Sequence, residues 1–174
     1  MTATITESTR QQLVKDLRET GDGFTAALDS FSPDDFNKVP FAGSWTPGQV
    51  GEHIYKSISG MPQLLNGHVE ATLRDPAENI PVLEKIFLDF STKLQSPDFI
   101  LPSDKKHDKG EMVSSLGNVF ARLLAIAEKE DLSLTCIDFK FPNMGHFTRQ
   151  ELLHFAYVHS KRHIHQLQKI KGAV

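Results

Sequence analysis

The sequence predicts an all-α chain, a four-helix bundle with a short extra helix in the long connection between the second and third helices. Three observations lead there. Four stretches repeat apolar residues at intervals of three and four, the signature of helices with one buried face. Two of the four open with a complete capping-box sequence. No run alternates apolar and polar residues over the length of a paired strand; the one extended-looking piece, 133–141, lies between helices and reads as a connection without a partner strand.

The first helix is expected from about Glu7 to Ser30, with Leu13, Leu17, Phe24, Leu28 and Phe31 on one stripe. Residues 31–44 contain Ser32, Pro33, Pro40 and Gly43, which punctuate rather than propagate, and read as a loop. Thr46-Pro47-Gly48-Gln49 then starts the second helix: the Thr46 hydroxyl can accept from the Gln49 N–H, and proline suits the first helical position. That helix is expected to reach about Asn66. Pro76, Pro81, Pro97 and Pro102 divide the next stretch, leaving 81–94 as a short helix and 96–110 as a loop across the end of the bundle. Met112, Leu116, Val119, Leu123 and Ile126 mark the third long helix, to about Glu130. Thr148-Arg149-Gln150-Glu151 caps the last, which runs to about Lys171.

At 174 residues the chain is the size of one ordinary domain, spanning 1–174. Lys plus Arg (19) is outnumbered by Asp plus Glu (22), so the basic excess of a nucleic-acid binder is missing. A single cysteine, Cys136, excludes an internal disulfide and a cysteine-rich zinc site. The polar start from Met1 to Arg10 lacks the apolar run of a signal peptide, and no stretch has the length of a membrane span. A cytoplasmic protein without membrane or nucleic-acid partners is the expectation.

Eight histidines are the one compositional excess, and five follow residue 145. The inward stripe of the last helix reads Leu152, Ala156, His159, His163, Leu167 and Ile170. Residues four apart differ by roughly 40° in direction, so His159 and His163 project from one face a turn apart. On the second helix the inward stripe reads Val50, His53 or Ile54, Ser57 and Met61, which leaves His53 at the edge of the buried face. A buried imidazole without a partner costs about 1–3 kcal/mol, and a shared metal ion removes that cost for all three. The competing reading is a set of core histidines satisfied by protein groups. Imidazole suits Zn, Ni, Cu and Fe alike, and three ligands leave at least one position open, as in catalytic sites. His154 and His165 point elsewhere, His146 lies in the preceding loop, and His68 and His107 sit in polar loop sequence. His159-Ser160-Lys161-Arg162-His163 lacks the glutamate after the first histidine that serves zinc peptidases as a base, which disfavours that chemistry.

Ser44-Trp45-Thr46-Pro47-Gly48-Gln49-Val50-Gly51-Glu52-His53-Ile54, followed by Gly145-His146-Phe147-Thr148, Glu151-Leu152-Leu153 and His159-Ser160-Lys161-Arg162-His163-Ile164-His165-Gln166-Leu167, resembles the DinB/YfiT-like superfamily of metal-binding four-helix bundles. The resemblance spans nearly the whole chain, and the order and separation of the pieces carry it. His165 departs from the small residue or glycine that the family often has there. The resemblance implies an antiparallel bundle of up-down-down-up topology, a divalent transition metal (Zn, Ni or Fe) on His53, His159 and His163, and a homodimer.

Relatives of that kind include transferases dependent on low-molecular-weight thiols, an isomerase, hydrolases and proteins without known activity, and a shared fold does not decide among them. The leading expectation is a metal-dependent S-transferase that takes a small-molecule substrate and a low-molecular-weight thiol cosubstrate. A metal-dependent hydrolase is the alternative, and a non-enzymatic metal-binding or stress-response bundle is the rival from outside enzymology. Arg162, with Lys161, is the candidate to attract an anionic substrate, against a plain solvated role; Trp45 is the candidate to line the mouth, against a plain apolar anchor before the cap. Glu52 points about 100° away from His53 and is a poor base for hydrolysis.

Overall fold

Helix α1 (Glu7–Asp29) begins where the Thr6 hydroxyl accepts the Thr9 N–H and buries Leu13, Leu17, Phe24 and Leu28, the stripe that the spacing predicts. The computed structural model describes residues 5–174, so the first four residues of the polar start lie outside it. A one-turn helix α2 (Pro33–Phe36), capped by Ser32, interrupts the loop that follows. Helix α3 (Pro47–Ile58) and helix α7 (Arg149–Lys171) both carry full capping boxes, Thr46 with Gln49 and Thr148 with Glu151. Helix α6 (Lys109–Lys129) starts on the Asp108 side chain, which accepts the Glu111 N–H at 2.7 Å.

Each of α1 and α3 packs against both α6 and α7, so α1 and α3 occupy opposite corners of the bundle. One continuous apolar core joins all four. At the α1–α6 contact the backbone of Gly21 lies so close to Phe120 that an added Cβ would sit 2.8 Å from the ring's Cγ and 3.0 Å from its own Cβ. Phe120 cannot yield from its root. Gly21→Ala is therefore expected to destabilise the protein by a net of about 1–2 kcal/mol, overpacking outweighing the roughly 1 kcal/mol of better helix propensity. A urea midpoint at or above the wild-type value would contradict this packing.

Three differences from the sequence-based expectations have physical causes. The second helix does not reach Asn66: it ends at Ile58 and restarts as α4 (Met61–Leu65), because Pro62 has no N–H to continue the ladder and takes a first-turn position instead. The helix expected over 81–94 is α5 (Ile80–Phe87), packed on α7 and ending early, where the Asp89 carboxylate accepts from the Ser91 N–H and the Ser91 and Thr92 hydroxyls in a turn that competes with helix. The segment 133–141 does have a partner: β2 (Thr135–Cys136) pairs antiparallel with β1 (Val69–Glu70), with Val69 opposite Cys136. A two-residue strand shows no alternation in sequence, so its partner was invisible.

The buried carboxylate of Glu151 ties the segment between β1 and α5 to the start of α7. One oxygen accepts from Arg74 Nη1 (2.7 Å) and the Asn79 N–H (2.8 Å). The other accepts from Arg74 Nη2 (2.6 Å) and the Thr148 N–H (2.9 Å). No helix among the described residues is long and apolar enough to cross a membrane.

Candidate metal centre

His53 stands on the second turn of α3, and His159 and His163 stand a turn apart on α7, all facing the space between these two packed helices. They are 1%, 4% and 8% exposed, so His53 lies fully inside rather than at the edge of the buried face. His159 Nε2 is 3.1 Å from His53 Nε2 and 3.2 Å from His163 Nε2. One ligand atom from each of the three lies within 4.8 Å of the others. Three nitrogens bound at 2.0–2.1 Å around a tetrahedral ion are separated by about 3.3 Å, so the two edges that meet at His159 have the spacing of ligands on one ion.

The protons argue the same way. His53 Nδ1 is 2.9 Å from the Ile100 carbonyl, which can only accept, so the ring carries its proton on Nδ1 and a lone pair on Nε2. His163 Nδ1 donates at 2.6 Å to Gln166 Oε1, which leaves its Nε2 in the same state. Two lone pairs thus face the single Nε2 of His159, whose Nδ1 is buried with no partner. No tautomer of three neutral rings satisfies all these atoms; a cation at the Nε2 triangle removes the conflict.

Protonation does not offer another way out. Burial drives all three imidazoles toward the neutral form: His53 lies below its ordinary value, His159 well below it, and His163 is pushed down to about 3, with repulsion added by neighbouring histidines at His159 and His163 and by Lys56 at His53. Neutral imidazoles are the form in which histidine ligates a metal.

An aromatic wall surrounds the triangle. Phe87 and Phe155 each stand 5.1 Å from the His159 ring, and Trp45, just before the α3 cap, stands 5.0 Å from His53 and lies nearly parallel to His163 at 6.3 Å. Trp45 is the only tryptophan in the chain. Titration with a paramagnetic ion such as Ni²⁺ or Co²⁺ is therefore expected to quench tryptophan fluorescence and to saturate at about one equivalent, the number the single triangle takes. Unchanged emission with metal bound would place the ion elsewhere.

Residues 16–167 match the family described as the DinB superfamily. The chain belongs to that superfamily. No curated protein matches it. Among solved structures it is similar to YfiT from Bacillus subtilis, described as "a probable metal-dependent hydrolase with an unusual four-helix bundle topology". The two share 16% sequence identity and a TM-score of 0.61, with 97% of this chain and 89% of that chain covered, which shows a common fold.

The other residues singled out in this DinB-superfamily chain sit as follows. Arg162 donates to the backbone carbonyls of Phe87, Asp89 and Thr92, fastening the segment after α5 to α7. Lys161 bonds to the Tyr157 hydroxyl on the outer face. Glu52 accepts from the N–H and hydroxyl of Ser103 and pairs with Lys56; burial works to raise its pKa, but these partners outweigh it and hold the carboxylate below its ordinary value. His107, unremarkable in sequence, lies against Glu52 at 3.4 Å, and His154 lies against Glu84 at 3.2 Å, both outside the triangle. His165 is exposed and stacks on Phe90. Cys136 is buried in β2, where desolvation pushes its thiol up to about 11, no state for a nucleophile.

Gln166 and the Ile100 carbonyl were missed by sequence reasoning. Gln166 had a signal, since it stands three residues after His163 on the same helix face. A backbone carbonyl 47 positions from His53 had none.

Proposed function

We propose that this chain is a metal-dependent enzyme with one divalent ion on His53, His159 and His163, and that it transfers a low-molecular-weight thiol to a small electrophilic substrate. The convergence of three neutral Nε2 atoms on one point, with two lone pairs facing a third ring, carries the reading. A metal held there supplies Lewis acidity, which lowers the pKa of a protic nucleophile and polarises an electrophile.

The chain's own residues do the rest. His53 and His163 present lone pairs because their Nδ1 protons are committed to Ile100 and Gln166. Trp45, Phe87 and Phe155 limit water around the centre, which strengthens electrostatic interactions inside it. Among the described residues no carboxylate joins the triangle, and Glu52 is held ionised by Ser103 and Lys56. That absence favours a thiol over water as nucleophile. A thiol has one proton and a pKa near 8.5, so it needs little help to ionise, whereas water attacking an ester or amide carries a second proton that a protein base ordinarily removes.

Hydrolysis is the second reading, favoured by the hydrolase description of YfiT. The two separate in one set of assays. Metal-loaded protein is expected to accelerate conjugation of small thiols to monobromobimane or chlorodinitrobenzene and to leave p-nitrophenyl esters untouched. Ester turnover without thiol dependence would replace the transferase by the hydrolase, and no turnover of either kind would leave the centre without an enzymatic role.

A further inference from the structure

The three rings of the centre differ in what stands behind them. The Nδ1 of His53 is held by a backbone carbonyl, and the Nδ1 of His159 has no partner. Only His163 is held by a side chain among the described residues, through the 2.6 Å bond to Gln166 Oε1. We propose that Gln166 is the positioning residue of the centre: by accepting the His163 Nδ1 proton it fixes the tautomer and ring angle that turn the Nε2 lone pair toward the ion. This rests on the three-histidine reading above.

The local structure makes Gln166 suited to that task. It lies three residues after His163, and His163 four after His159, so ligand, ligand and acceptor succeed one another along one face of a rigid helix. His163 sits in the last stretch of α7 and is the most exposed of the three ligands, so packing alone constrains its ring least. Without an acceptor, the neutral ring could carry its proton on Nε2, and that tautomer cannot bind an ion through Nε2, the atom that faces the other two rings. The amide of Gln166 can also rotate to present its NH₂ group, which would drive the His163 proton to Nε2. A carboxylate can only accept. Gln166→Glu should therefore hold the required tautomer at least as well as the native residue, while a residue without an acceptor should not.

The test compares wild type with Gln166→Leu, Gln166→Met and Gln166→Glu, all good helix formers at a half-buried position. Metal affinity is measured by competition with a chelator, the coordination of bound Co²⁺ by its visible absorption, and the fold by circular dichroism of the metal-free proteins. The expected result is metal-free proteins with unchanged helicity, affinity lowered roughly 10–100-fold in the Leu and Met variants with an altered Co²⁺ band, and affinity and band retained in the Glu variant. Wild-type protein that binds while all variants match it within about twofold overturns the role of Gln166 and leaves the ligand set standing, since the loss expected for such a partner is at least tenfold. Loss of helicity in both the Leu and Met variants overturns it too, because the residue would then be structural. Wild-type protein that takes up no ion overturns the three-histidine reading itself.

Discussion

His159→Ala protein is expected to emerge from purification almost free of metal, where wild type carries about one equivalent per chain, as a single three-imidazole site would. Both short Nε2–Nε2 separations run through His159, so its removal takes away the ring that the other two Nε2 atoms face and leaves an ion only two imidazoles, His53 and His163, whose ring centroids are 4.6 Å apart. Elemental analysis reads the result directly. A thermal scan adds a control, because an ion that binds only the folded state raises the wild-type melting temperature and leaves the variant's unmoved. The metal-free forms are expected to differ by no more than about 2 kcal/mol, since the cavity left by the ring is partly offset by removal of a buried nitrogen without a partner. Equal metal content in the two proteins would remove the basis for the centre.

Arg74→Ala is expected to cost about 3–5 kcal/mol of stability, the loss that follows when one partner of a buried ion pair is removed. Glu151 is wholly buried and depends on the guanidinium for two of its four hydrogen bonds. Removing Arg74 strands a charge in the interior. Glu151→Ala leaves Arg74 free to turn toward water but orphans the Thr148 and Asn79 amides, so it too destabilises. Because the pair acts as a unit, urea denaturation of the double variant should show a loss well below the sum of the two single losses. Strict additivity would mean that the two residues stabilise the fold separately.

The long helices were legible because each declares itself locally. The stripe of Leu13, Leu17, Phe24 and Leu28, and the capping boxes at Thr46 and Thr148, need no knowledge of distant residues, and both appear where the sequence places them. The histidine pair was legible for the same reason, since helical geometry alone sets His159 and His163 on one face. What could not be read depends on pairing across the chain. Thr135 finds Glu70, Arg74 finds Glu151, and His53 finds the carbonyl of Ile100, partners about 50 to 80 positions apart whose identities carry no local pattern. Arg162 belongs with them: its charge was plain in the sequence, while the carbonyls of Phe87, Asp89 and Thr92 to which it donates, 70 to 75 positions away, were not.

The two helices that carry the three proposed ligands are also the two with complete capping boxes, and that coincidence sets an origin for counting. His53 stands seven positions beyond Thr46, and His159 and His163 stand eleven and fifteen beyond Thr148. Each inserted residue between origin and ligand would rotate the imidazole by about 100° and shift it about 1.5 Å along the axis. Insertions upstream of Trp45 or Phe147 can vary in length without changing this phase. A single added or deleted residue within 48–52 or 152–158 dephases the donors, and the chain can fold with its helices intact while the ion has nowhere to bind.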